Sequence, residues 1–291
     1  MTVTVTSISR FPVKSMLGED LQQCVIDEHG VVGDRAYALL DADDGVVASA
    51  KNPRKWASLL TMSARYVAEP LAGQAPPPVE ITFTDGSVLR SDDEGMDEAL
   101  SAAVGRRVRL VSEHPGDARF EEVWPELEGL APQAFIDGTA SGKEATGETV
   151  STIDLAMLAP GTFLDLAPLH VLTTSTLDKL SELSPGSDFD ARRYRPNLLL
   201  DTGPPGFTED AWVGQTVTVG DGMHMNVIML TMRCVMTTLV QRDLPSDPST
   251  LRTVAKHNRQ EIPGLGVWAC AGVYAGVTAG GNVGVGDAVQ L

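Results

Sequence analysis

The sequence predicts a mainly β protein, built as β-barrels with short helices between the strands. Three observations carry that prediction. Thr2-Val3-Thr4-Val5-Thr6 alternates strictly, the period-two signature of a half-buried strand. Asp-Gly pairs at 44–45, 85–86 and 221–222 separate β-branched runs, the turn chemistry of antiparallel hairpins. Runs with helical period are few and short against many short strands, which favours barrels over a parallel sheet covered by helices.

The elements follow in order. After the opening strand, Phe11-Pro12-Val13-Lys14-Ser15 breaks the alternation with a proline, and Cys24-Val25-Ile26-Asp27 resumes it. Gly30 and Gly33 bracket a turn. Arg35 to Asp41 and Val46 to Ala50 form one hairpin, and Val79 to Phe83 with Ser87 to Leu89 form another. Leu71 to Pro78, rich in Ala, Gly and Pro, is an exposed loop. Met96 to Val104 is a short helix stopped by Gly105, and Arg107 to Val111 is a strand. Glu113 to Glu148 is acidic, broken by Pro and Gly and without a sustained period, so it reads as a loop-rich crossing. Leu169 to Thr173 is a strand, and Thr174-Ser175-Thr176 opens a helix that Pro185-Gly186 ends. Leu198 to Leu200 is buried strand, Thr216 to Ile228 a hairpin, and the run through Cys234 another strand. Ser249 caps a last helix, and residues 273–289 return to β. The expected division is an N-terminal β-barrel-like domain over residues 1–112 and a second domain, with its connecting segment, over 113–291.

Composition limits the function. The 291 residues are 43% hydrophobic, enough for a sizeable core. Asp and Glu number 39 against 22 Lys and Arg, a net charge of -17 that repels phosphate backbones and argues against nucleic acid. Cys24, Cys234 and Cys270 are far apart and odd in number, which excludes a disulfide framework or zinc ribbon and fits a reducing cytoplasm. No apolar run approaches the ~18 residues of a membrane span. The N-terminal residues lack the basic and apolar regions of a signal peptide.

Four motifs stand out. Lys14-Ser15 follows a strand, Asp34-Arg35 starts one, Arg192-Arg193-Tyr194-Arg195-Pro196-Asn197 precedes an apolar strand, and Arg233-Cys234 closes the set. In so acidic a chain, separate basic motifs beside strands can converge on an anion. Taken singly, each is explained as well by solvated or ion-paired surface charge. Cys234 likewise reads either as a buried structural thiol or as a thiolate ligand to a soft metal.

In their order these motifs resemble the MOSC superfamily. The N-terminal resemblance lies in Phe11 to Ser15, Gly33-Asp34-Arg35 and Ser49 to Pro53 with Trp56. The C-terminal one lies in Tyr194 to Asn197, Phe207 to Asp210 with Trp212, Arg233 to Thr238 and Val285-Gly286-Asp287. The two-part layout is similar to the mitochondrial amidoxime-reducing component and its bacterial counterparts. The resemblance implies a molybdenum cofactor (molybdopterin) with Cys234 as the protein's ligand to the metal and catalytic residue. It implies that Lys14, Ser15, Arg35, Arg195 and Asn197 hold the cofactor, that Arg233 keeps Cys234 ionised, and that Thr173, Thr174 and Ser175 offer hydroxyls at a helix N-terminus to a phosphate. The implied activity is reduction of N-hydroxylated small molecules, with electrons from a separate ferredoxin-, flavodoxin- or cytochrome-type protein. The alternative is a cofactor carrier or a persulfide sulfur-transfer protein. Two departures from the family are the Leu239 to Pro248 segment after the cysteine and the lack of a plant-type ferredoxin domain after Leu291. Cys270 and His257 are expected to be structural, and nothing in the sequence places Asp243 or His257 at the metal.

Overall fold

The structure, a computed structural model, describes residues 2–155 and 162–291. Its centre is a closed barrel of seven strands: Leu169–Thr173, Leu198–Asp201, Val3–Arg10, Ala288–Gln290, Thr216–Val219, Met223–Met232 and Gly266–Ala279, which pairs back with Leu169–Thr173. Closure leaves the barrel without free edges. Every pairing is antiparallel except that of Leu169–Thr173 with Leu198–Asp201. That parallel pair is joined by the helix Thr174–Leu183, which starts at the expected Thr-Ser-Thr but is capped by the hydroxyl of the residue before it, Thr173. The barrel interior is the largest apolar core, with Val5, Leu169, Val171, Leu198, Val217, Met225 and Val273 fully buried.

Strand Val3–Arg10 is woven into this barrel although the next hundred residues build a separate core. That second core packs Val13, Leu39, Trp56, Leu59, Val79, Ile81 and Leu100 between the sheet Ser63–Tyr66, Val79–Thr82, Val88–Arg90 and the pair Ala38–Asp41, Val108–Val111. The helix Met96–Val104 ends on Gly105, whose φ of 70° is the left-handed cap only glycine adopts cheaply.

Two expectations are corrected. The acidic crossing is not loop-rich: Arg119–Trp124, Ala140–Lys143 and Thr149–Asp154 form a three-stranded sheet with the helix Gln133–Thr139 beside it. Its strands lack clean alternation because both faces of Arg119–Trp124 carry buried residues, Phe120 on one and Val123 on the other. Cys234 is also not within a strand. The strand ends at Met232, and Cys234 lies in extended backbone just ahead of the 3-10 turn Val235–Thr238. Among the described residues the six helices are short, and none is long and apolar enough to cross a membrane.

Candidate functional site

A cleft of about 680 Å³ opens between the two cores. Lys14, Ser15, Arg35, Arg195, Asn197, Arg233 and Cys234 all line it. Its floor is the end of strand Met223–Met232, and its walls are the turns that follow Val3–Arg10 and precede Leu198–Asp201.

The backbone of these turns is strained where they meet the cleft. Among the described residues four non-glycine residues have positive φ, and three of them line it: Ser15 at 64°, Arg35 at 50° and Arg195 at 58°. Each pays roughly 1–2 kcal/mol for a left-handed conformation. Such strain persists only where surrounding bonds over-determine it, and it gathers at binding sites. Here the bonds are plain. Arg35 N–H donates to the Phe11 carbonyl at 2.7 Å and Lys14 N–H to the Tyr37 carbonyl at 2.8 Å, lacing the two turns together. Asp34 accepts from Phe11 N–H at 2.7 Å, from Asn197 Nδ2 at 2.9 Å and from the Arg35 guanidinium. Ser15 Oγ accepts from Ala50 N–H at 3.0 Å, which leaves the hydroxyl proton for a ligand.

Two guanidiniums stack on one ring, Arg195 at 4.1 Å and Arg35 at 4.8 Å from the centre of Phe11. Arg195 is 6% exposed and gives one nitrogen to the Met16 carbonyl at 2.8 Å, while its Nη2 has no partner. Burial, then the like charge of Arg35, pulls its pKa down to about 9. A buried, half-paired guanidinium beside another cation is a site awaiting an anion.

His170, which the sequence did not single out, orders the next layer. Its Nε2 lies 3.2 Å from Arg233 Nη1, which can only donate, so Nδ1 carries the proton and donates to the Arg195 carbonyl at 3.3 Å. Burial, with Arg233 nearby, pushes its pKa well below the ordinary value and keeps the ring neutral. Arg233 spends its other bonds on the carbonyls of Ala271, at 3.2 Å, and Tyr194, at 3.1 Å.

Arg233 therefore braces the wall, and its nearness does not suffice to ionise Cys234. Burial raises the thiol's pKa and Glu122 adds to the rise, while Lys51 and Arg233 only offset part of it. Without a ligand the residue is a protonated thiol. Lys51, within the Ser49 to Pro53 motif and outside the expected site residues, also lines the cleft, 3.5 Å from Asp165 and 3.7 Å from Glu122. Lys14 is pinned between the Phe163 carbonyl, at 2.8 Å, and Asp165. Burial lowers its pKa, and Asp165 offsets part of that shift.

The remaining expectations divide. Asn197 reaches the cleft, but its amide is consumed by His170 N–H at 3.1 Å, the Ser9 carbonyl at 3.4 Å and Asp34, so it positions its neighbours. Thr173, Thr174 and Ser175 do not line it. Thr173 Oγ1 donates to Glu209 Oε2 at 2.5 Å, Ser175 bonds Thr202 and Thr208, and Thr174 lies 3.4 Å from Asp201. The arginine triplet splits three ways. Arg192 pairs on the surface with Asp190 and Asp243, Arg193 staples the carbonyls of Leu239 and Pro245, and only Arg195 keeps donors free at the cleft. His257 is exposed and Cys270 is buried in the barrel.

The MOSC N-terminal beta barrel domain matches residues 2–102, and the MOSC domain matches residues 160–290. The chain belongs to the MOSC superfamily. The site of this MOSC protein lies where the two matched regions meet, with Lys14, Ser15 and Arg35 from the first and Arg195, Arg233 and Cys234 from the second. No curated protein matches the sequence. A solved structure, the YuaD protein from Bacillus subtilis, covers 99% of this chain and 94% of its own at 10% identity and a TM-score of 0.45.

The donor set fits a cofactor of the kind MOSC proteins are associated with. Among the described residues no three His, Cys, Asp or Glu side chains come together to hold a bare metal ion. One thiol beside unpaired guanidinium donors instead suits a metal that arrives on an anionic organic carrier.

Proposed function

We propose that this protein is a molybdenum-cofactor-dependent oxidoreductase that reduces N-hydroxylated compounds. The observation that carries the proposal is the coexistence, in one cleft, of a lone thiol and a buried guanidinium with an unused donor. Arg195, Arg35, Lys14 and the Ser15 hydroxyl would hold the anionic end of the cofactor, and Cys234 would ligate the metal. When bound, the molybdenum cofactor supplies the two-electron chemistry. On ligation Cys234 would give up its proton, and Lys51 and Arg233, whose charges oppose the rise in its pKa, would favour the thiolate. His170 stays neutral and fixes both arginines in place. The net reaction converts R–NHOH, two electrons and two protons into R–NH2 and water. The electrons would come from a separate ferredoxin-, flavodoxin- or cytochrome-type protein in the cytoplasm.

Metal analysis of the purified protein tests this reading. Near-stoichiometric molybdenum and donor-driven reduction of an N-hydroxylated compound are expected. Both should be lost in Cys234→Ser, with stability changed by no more than about 1–3 kcal/mol. A persulfide on Cys234 in molybdenum-free protein would instead establish the sulfur-transfer alternative.

A further inference from the structure

A second chamber, of about 540 Å³ with the solvent space at its mouth included, adjoins Cys234. It shares one wall with the cationic cleft, formed by Lys51, Asp165, Met232, Arg233, Cys234 and Tyr274. Its other walls are of opposite character. Phe120, Trp124, Phe135, Ile153, Leu166 and Trp268 face it, and among the described residues Glu122 is the one polar residue that lines it without also lining the cleft.

The aromatic rings are mutually braced. Phe135 and Trp268 meet edge-on at 4.9 Å, and Trp124 lies 6.0 Å from each. Both indole N–H groups are spent elsewhere, that of Trp124 on Ser151 Oγ at 2.8 Å and that of Trp268 on the Leu265 carbonyl at 2.9 Å. What the two tryptophans offer the chamber is therefore apolar ring surface. At its polar side Glu122 and Lys51 stand 3.7 Å apart and line the chamber together with Cys234.

The origin of these walls gives the chamber its meaning. Phe120, Glu122, Trp124, Phe135 and Ile153 lie between the two matched regions, 2–102 and 160–290. The cationic cleft is built from family-matched segments, whereas five of the seven described residues that line the chamber without also lining the cleft come from a segment that neither match covers.

Resting on the function proposed above, we propose that this chamber is the substrate site and that it selects molecules in which a planar aromatic ring carries the group to be reduced. The ring sits among Trp124, Phe135 and Trp268, and the N–O head faces Cys234 between Lys51 and Glu122. Stacking on two or three rings gives an aryl compound an affinity that the same head on a methyl group cannot match.

The test is a fluorescence titration of the full-length protein with benzamidoxime and with acetamidoxime, which carries the same head without the ring. Tryptophan emission reports occupancy, since Trp124 and Trp268 line the chamber. Benzamidoxime should bind at least tenfold more tightly. Phe135→Ala removes a half-buried ring from the short helix Gln133–Thr139; it should erase most of that preference and leave acetamidoxime unchanged. Equal affinity for the two compounds in the wild type, or a preference that survives Phe135→Ala, overturns the proposal. Molybdenum content read on the same preparation separates the two readings. Metal present without ring preference sinks the chamber alone, and ring preference without metal sinks the redox reading alone.

Discussion

Replacing Arg195 with methionine should make the ligand-free protein more stable. The guanidinium is buried with Nη2 unpaired, and its pKa falls from 12.5 to about 9. A base whose folded pKa is lowered contributes an unfavourable free energy at every pH below that value, so the whole cost is present at pH 7. The drop converts to roughly 5 kcal/mol. The bond to the Met16 carbonyl and the stack on Phe11 together return about 2 kcal/mol. About 3 kcal/mol of net strain is left for the variant to relieve, since methionine bears the 58° backbone no worse than arginine. Thermal unfolding in phosphate-free buffer should show a higher Tm for Arg195→Met, at roughly 2–4 °C per kcal/mol. Inorganic phosphate should close most of the gap. At a hundred times its Kd it stabilises the wild type by about 2.7 kcal/mol through mass action, and it should do little for the variant. A Tm that drops on substitution while the phosphate response persists would refute the assignment of Arg195 as the waiting anion donor.

Two further outcomes follow from the same network. Burial raises Glu209 from 4.5 to about 7, so its charged form costs the fold increasingly as pH climbs through that interval, reaching roughly 3 kcal/mol by pH 8. Glu209→Gln keeps an acceptor for Thr173 and Thr176, so urea unfolding should find it more stable than wild type at pH 8 and level with it at pH 5; an equal difference at both pH values contradicts this. Asp34→Asn turns an NH2 donor either toward two donors, Asn197 and Arg35, or toward Phe11 N–H, and should cost about 2–4 kcal/mol and blunt the phosphate response. An unchanged Tm with an unchanged response would show that the Asp34 clamp does not hold the cleft.

Local patterns reported local structure well. The alternation of residues 2–6, the Gly105 stop and the Thr-Ser-Thr helix start each depend on neighbours within a few positions, and each is in place. The basic motifs also converge on one cleft. The hydroxyls at 173–175 show where such reading stops. Their capping role is local, but what they face is Glu209, 36 residues from Thr173, and only the barrel brings the two together. His170 was silent for a similar reason. It is one residue in a strand pattern, and its partners, the Arg195 carbonyl and Arg233, are 25 and 63 residues away. Glu122 and the aromatic chamber were hidden in a segment whose strand is buried on both faces, so it shows no period to read.

The seam of the barrel sets a timetable for making the site. Strand Ala288–Gln290 lies between Val3–Arg10 and Thr216–Val219, pairing Val3 with Val289 and Thr218 with Gln290. On the ribosome, at ~5–20 residues per second, the first strand therefore waits tens of seconds or less for its neighbour to be made. Val3–Arg10 runs straight into the turn that carries Lys14 and Ser15, so those side chains, although held within the second core, are not locked opposite the barrel side of the cleft until residues 288–290 have emerged. Residues 11–112 can assemble their own core early, but the cleft is finished last. Any large anionic ligand must then be loaded into a closed barrel, and nascent chains that have not reached residue 290 should not carry it.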